Sequence, residues 1–197
     1  MSLPVPTPAM LVVFMAVGES ILMRGRLSKD RSRTADRGSL RMLFIIIPAS
    51  VTLAWWVGRL VPQARFDALF ASGPTAATIL YAVGLVLFVA ALGLRWFSMI
   101  YLGRLFTFDV AIADDHRVID TGPYRFVRHP AYTGSLLSFV GLGLCGGNLL
   151  SLMVMLVPIG AAFLHRIAIE EAALTAALGA RYADYVARTK RLVPFVY

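Results

Sequence analysis

Residues 131–167 read AYTGSLLSFVGLGLCGGNLLSLMVMLVPIGAAFLHRI, two apolar runs parted only by Gly146, Gly147 and Asn148. Runs of this kind are helices dissolved in lipid, and three consecutive helix breakers predict a tight helical hairpin instead of one continuous span. Working outward, further apolar segments at 10–23, 42–61 and 75–94 bring the expected total to five spans. The whole composition agrees: 58% of residues are hydrophobic, 15% are charged and the mean hydropathy is +0.73, outside the range of ordinary soluble domains. The expected architecture is all-α, one membrane-embedded domain over 1–197. In it, 1–94 hold three N-terminal spans, and 95–197 hold the hairpin (spans four and five) and a cytosolic C-terminal helix.

Charge orients the bundle. Between Arg24 and Arg41 lie seven basic residues, Arg24, Arg26, Lys29, Arg31, Arg33, Arg37 and Arg41, against Asp30 and Asp36, which predicts a cytoplasmic loop. Threading five spans from that anchor leaves only Arg59 and Arg65, of 19 Lys and Arg residues, on the outer side with the N-terminus. The stretch 95–130 and the C-terminal tail fall inside. The net charge of +8 is then accounted for by topology and anionic lipid contact, without nucleic acid. The first segment has a small-x-small triplet at Ala16-Val17-Gly18 but no Lys or Arg before it, so a retained span is expected over a signal peptide.

Within the hairpin, Gly134, Ser138, Gly141 and Cys145 share one helical face and predict close backbone approach to the fifth span, or room for a cofactor. Cys145, the lone cysteine, excludes an intramolecular disulfide and reads as a packing residue. Pro158 predicts a kink in the fifth span. Glu19 is a costly residue at a membrane edge that either pairs with an arginine or lines a cavity.

Polar chemistry gathers at one end of the hairpin. The segment from Gly122 to Gly134 holds Arg125, Arg128, His129 and Tyr132, and Arg166, Glu170 and Glu171 follow on the fifth helix. Arg166 and Glu170 share a face at four residues' spacing, and alone they read as an exposed, weakly stabilising ion pair. Leu174, Leu178, Tyr182 and Tyr185 continue an apolar stripe, which Gly179 divides into two helical pieces. His116, His129 and His165 lack the spacing of a zinc site, and no metal is expected. Asp114-Asp115-His116 reads as a solvated loop. No nucleophile elbow, phosphate loop or Rossmann motif is present, so helices and loops must make any nucleotide-like pocket.

From Leu102 onward the chain resembles the isoprenylcysteine carboxyl methyltransferase family and its phospholipid methyltransferase relatives. The resemblance is carried by Gly122-Pro123-Tyr124, Arg128-His129-Pro130 with Tyr132 and Gly134, Arg166 with Glu170-Glu171 and Leu174, then Gly179, Tyr182, Tyr185 and Val193-Pro194. It implies an integral membrane enzyme that takes S-adenosylmethionine from the cytosol and methylates a lipophilic acceptor reached through the bilayer. The implied cofactor contacts are Tyr124, His129, Tyr132, Glu170, Glu171 and Tyr182, and the implied catalytic residues are Arg166 and Glu170. A carboxylate acceptor needs no general base and could be oriented by Arg166. An amine or thiol would need a base such as His129, His165 or a glutamate. Two other classes compete: an NADPH-dependent membrane reductase, against which the Arg166 and Glu170-Glu171 arrangement speaks, and a non-enzymatic bundle or transporter.

Overall fold

The computed structural model of the chain describes residues 5–24, 38–69, 73–106, 108 and 117–194. Residues 25–37 of the expected basic loop between Arg24 and Arg41, and the Asp114-Asp115-His116 cluster, lie outside the described residues. Among those described, the chain forms helices α1 (Pro8–Met23), α2 (Ser39–Leu60), α3 (Phe66–Leu69), α4 (Pro74–Leu102), α5 (Pro130–Gly146), α6 (Leu149–Leu178) and α7 (Ala180–Arg188). The architecture is the all-helical membrane bundle expected, with only two isolated bridges of extended backbone among the described residues. Among the described residues three helices, α2, α4 and α6, are long and apolar enough to cross a membrane, whereas α1, at 16 residues, is shorter. α5 has 17 residues.

The α5–α6 turn follows from its three breakers. Gly147 adopts φ +70°, a conformation open to glycine at little cost. Asn148 then caps α6: its side-chain oxygen accepts from the Ser151 amide at 2.9 Å, and its amide donates to the Val61 carbonyl at 2.9 Å. The Phe66 amide donates to the Gly147 carbonyl at 3.0 Å, so the Arg65 region and the hairpin turn share one end of the bundle, as the threading requires.

The small-residue face of α5 packs on α4 and not on the fifth span. A Cβ on Gly141 would stand 2.6 Å from the Gly84 carbonyl oxygen and the Phe88 nitrogen, and one on Gly134 would stand 2.7 Å from the Ala91 oxygen and the Arg95 nitrogen. Gly84 and Ala91 on α4 supply the matching small positions that let the two backbones touch, and Cys145 packs here with its thiol toward the Tyr81 carbonyl. Phe88, Leu92, Phe139 and Leu142 fill the adjoining core, which Met155, Ile159 and Phe163 extend onto α6. Outward, Ile45, Leu60, Val86, Val89 and Val157 stay exposed, as residues facing lipid would be.

α4 is also longer than expected, running to Leu102 instead of stopping near residue 94. Arg95 therefore lies inside a helix and does not begin a loop. Its guanidinium clasps Glu19 of α1 with two bonds of 2.6 Å, and the Trp96 indole donates to the same carboxylate at 3.1 Å. Of the two roles open to Glu19, pairing with arginine is the one found.

Gly141→Leu is expected to lower the thermal midpoint of detergent-solubilised protein by the equivalent of at least about 1–3 kcal/mol of overpacking. Gly160→Leu, at a glycine whose Cβ would meet nothing within 4 Å, should leave the midpoint unchanged. A thermal-shift comparison of the two checks the seam, and equal midpoints would remove it as a principal helix contact.

Candidate active site

The polar end of the bundle is built by a turn and a returning tail. Gly122, at φ +57°, brings its backbone against the Tyr101 ring, where a Cβ would lie 2.6 Å from the ring. The single turn Gly122–Arg125 follows, with Pro123 pre-set for it. Tyr124 is buried; its hydroxyl donates to the Ser98 carbonyl at 3.2 Å, while its own carbonyl accepts from the Tyr185 hydroxyl at 2.6 Å. The tail runs beside residues 127–129. The Arg128 amide donates to the Lys190 carbonyl at 2.7 Å, the His129 amide to the Arg191 carbonyl at 3.0 Å, and the Thr133 hydroxyl to the Leu192 carbonyl at 2.7 Å. His129 is thus fixed at the entrance of α5, with Pro130 in the first helical position.

The two neighbouring glutamates have different surroundings. Glu171 accepts from Arg128 Nε at 2.9 Å on one oxygen and from Arg191 Nε at 2.9 Å on the other, and its first oxygen lies 3.3 Å from His129 Nε2. Arg128 also donates to the carbonyls of Val186 and Thr189. Glu171 therefore binds the turn, the tail and α6 into one unit. Glu170 is more open, with its side chain 31% exposed against 13% for Glu171. It accepts from the Tyr132 hydroxyl at 3.0 Å and lies 3.9 Å from His129 Nδ1.

Arg166 is not the exposed partner that its spacing from Glu170 suggested. Only 3% of it is accessible. Its Nε donates to the Tyr132 hydroxyl at 2.9 Å, Nη1 donates to Ser39 Oγ of α2 at 2.7 Å, and Nη2 donates to the Phe108 carbonyl. The Tyr132 hydroxyl thus stands between Arg166 and Glu170, accepting from one and donating to the other. Burial explains the exchange, because a guanidinium withdrawn from water must find fixed acceptors for its donors. His165, next in sequence, stays exposed.

Three tyrosines complete this end. Burial pushes the Tyr124, Tyr182 and Tyr185 hydroxyls above the ordinary phenol range, and the negative charges of Glu171 and Glu170 push Tyr182 further the same way. All three stay protonated and able to donate. Tyr124 and Tyr185 have partners, but the buried Tyr182 hydroxyl has none among the described residues. Buried polar groups are nearly always satisfied, so this donor, under the influence of both glutamates, is left with hydrogen-bonding capacity.

The site thus unites His129, Tyr132, Arg166, Glu170, Glu171 and Tyr182, while Tyr124 supports it with its hydroxyl committed to Ser98. Arg191 and Ser39 escaped the sequence reading. Arg191 is one basic residue in a basic tail, and Ser39 lies more than a hundred residues from its partner, so neither carried a local signal. No cluster of three potential metal ligands occurs among the described residues.

The chain is thus an all-helical membrane bundle with carboxylates, aromatic rings and buried cations gathered at one end, where a helical hairpin meets a returning tail. Residues 82–176 match the model of the isoprenylcysteine carboxyl methyltransferase (ICMT) family, which bears out the resemblance over that stretch. A probable protein-S-isoprenylcysteine O-methyltransferase of Oryza sativa subsp. indica is 33% identical over 116 residues, covering 58% of this chain and 61% of the relative. Protein-S-isoprenylcysteine O-methyltransferase B of Arabidopsis thaliana is 33% identical over 115 residues, 57% of this chain and 58% of the relative. The Schizosaccharomyces pombe protein-S-isoprenylcysteine O-methyltransferase is 30% identical over 105 residues, 52% of this chain and 44% of the relative. The matches thus span about three fifths or less of these relatives' lengths. The solved structure of the eukaryotic intramembrane Ras methyltransferase ICMT superposes with a TM-score of 0.71 at 22% identity, covering 96% of this chain and 65% of the other; the fold is shared.

Glu171→Gln should destabilise the fold by about 3–5 kcal/mol, the scale of breaking a buried ion pair from one side. Glu170→Gln should cost far less. Thermal midpoints of the two variants test the division, and equal losses would contradict it.

Proposed function

We propose that this protein transfers a methyl group from S-adenosylmethionine to a lipophilic acceptor at the cytoplasmic membrane face. The leading acceptor is the carboxylate of an isoprenylcysteine-like group. The observation that carries the reading is a half-open carboxylate, Glu170, together with the buried hydroxyl of Tyr182, which has no partner among the described residues, near His129 and Tyr132. Relatives named as isoprenylcysteine O-methyltransferases support the same reaction.

The donor set fits this cofactor. S-adenosylmethionine offers ribose hydroxyls and an ammonium as donors, which suit Glu170, and ring nitrogens and a carboxylate as acceptors, which suit Tyr182. When bound, it supplies an already activated methyl on a sulfonium, so no covalent enzyme intermediate is required. The protein's own work is positioning and exclusion of water. Tyr132, held by Arg166, fixes the Glu170 carboxylate, and its ring and that of His129 offer faces for the adenine or the cationic methyl. Glu171, with both oxygens engaged by protein cations, keeps the turn and tail closed around these groups. A carboxylate acceptor arrives ionised, and the positive charge of Arg166 favours it at this end of the bundle. The acceptor's lipid tail would remain among the helices, where each buried methylene contributes up to about 0.8 kcal/mol.

Topology supports the cytoplasmic placement. Arg125, Arg128, Arg181, Arg188, Lys190 and Arg191 flank the site, while Arg59 and Arg65 belong to the opposite end.

Calorimetry on detergent-purified protein, with S-adenosylmethionine and NADPH as parallel ligands, tests the reading. Wild type should bind S-adenosylmethionine selectively. Glu170→Gln and Tyr182→Phe should each weaken that binding by about tenfold, the scale of one lost hydrogen bond to a charged or buried group. Arg166→Gln, which takes the tie from Tyr132 and so from Glu170, should weaken binding as well and lose turnover of a carboxylate acceptor. Selective NADPH binding would replace the reading with a reductase, and binding of neither by folded, lipid-restored protein would end the enzymatic one.

A further inference from the structure

Glu19 lies on α1, outside the stretch that matches the family model, and its hydrogen bonds among the described residues go to Arg95 and Trp96 and not to the site. Its carboxylate holds both Nε and Nη2 of Arg95 at 2.6 Å, with side chains only 20% and 14% exposed. This fork fixes the guanidinium plane and aims the remaining nitrogen, Nη1, at α5. Nη1 donates to the Ser135 hydroxyl at 2.5 Å and to the Ala131 carbonyl at 3.3 Å. These two residues bracket Tyr132 in the first turns of α5. The same part of α5 also rests on Arg95 through Gly134, whose absent side chain lets the two backbones meet.

We propose that Glu19 and Arg95 form a positioning clamp that sets the first turn of α5, and through it His129 and Tyr132, for cofactor binding. The inference rests on the methyl-transfer reading for its functional consequence but not for its structural one. The physical reason is the fate of an unpaired charge. Without the carboxylate, Arg95 is a lone cation at the edge of the apolar slab, and its long side chain relaxes toward water. That movement withdraws Nη1 from Ala131 and Ser135, and the turn loses its only side-chain tie to α4 among the hydrogen bonds described above. Tyr132, whose hydroxyl has to meet Arg166 and Glu170 together, is then no longer held in register. The clamp places α1 in control of a site it does not enter.

The experiment compares wild type, Glu19→Gln, Arg95→Gln and Arg95→Lys in lipid nanodiscs by two readouts. Hydrogen–deuterium exchange reads the turn with no cofactor present, and steady-state kinetics gives KM for S-adenosylmethionine separately from kcat. Glu19→Gln and Arg95→Gln should speed exchange in residues 131–138 about tenfold, the scale of one charge-assisted hydrogen bond, with α2 and α6 unchanged. KM should rise severalfold with kcat largely kept, and Arg95→Lys, which retains the charge toward Glu19, should restore part of both. Unchanged exchange in 131–138, or faster exchange spread evenly over the bundle, would overturn the clamp, the latter by reducing the pair to a general stabiliser. Unchanged KM in variants whose turn is loosened would overturn its role in cofactor binding. Should wild type give no turnover with S-adenosylmethionine, the methyl-transfer reading fails, and exchange alone decides the clamp.

Discussion

The backbone contact between α4 and α5 is the constraint on which the rest of the molecule depends. In lipid there is little hydrophobic gain from bringing two apolar helices together, so association must come from close packing and from polar groups satisfied within the protein. Gly84, Gly134 and Gly141 remove the side chains that would hold the helices apart. Once the backbones meet, the start of α5 is fixed relative to the last turns of α4. The turn at Gly122 can then seat against Tyr101 and Tyr124 can reach Ser98. A site composed of residues from distant parts of the sequence is positioned by a contact that contains almost no side chain.

The polar end shows how a membrane protein handles charge at its margin. Burying ions is costly unless each finds several partners, and every strongly buried ion described above does. Arg95 has Glu19, Ser135 and the Ala131 carbonyl; Arg128 has Glu171 and two carbonyls; Arg166 has Tyr132, Ser39 and the Phe108 carbonyl. Against this fully engaged background, Glu170 and the Tyr182 hydroxyl stand out because capacity is left on them.

Much of the fold was legible in the sequence, for reasons of length and composition. Long apolar runs permit only helices, and Gly146-Gly147-Asn148 permits only a turn. Structure departs from local pattern where a distant partner alters the meaning of a residue. Arg95 looked like the end of a span because a lone arginine belongs in water, yet Glu19, 76 positions away, lets the helix continue past it. The small face of α5 was visible, but small residues announce close approach without naming the neighbour, and the matching seam lay on α4. In the site, the spacing of Arg166 and Glu170 does encode a shared face, since both meet the Tyr132 hydroxyl. That the Tyr132 hydroxyl stands between them, and that Glu171 is committed to Arg128 and Arg191, depends on packing of segments that no local pattern encodes.

The returning tail has a consequence for how the protein is made. The backbone amides of Arg128 and His129 find their acceptors at Lys190 and Arg191, and Thr133 finds its own at Leu192. All the apolar helices precede these residues in the chain. During synthesis the bundle can therefore enter the membrane and assemble while His129 still lacks its final anchor. Only after the ribosome has released the stretch beyond Leu192 can the loop close. Helix insertion and closure of this loop are separated in time, and a chain lacking the stretch beyond Thr189 would keep every apolar helix while Arg128, His129 and Thr133 lost these acceptors.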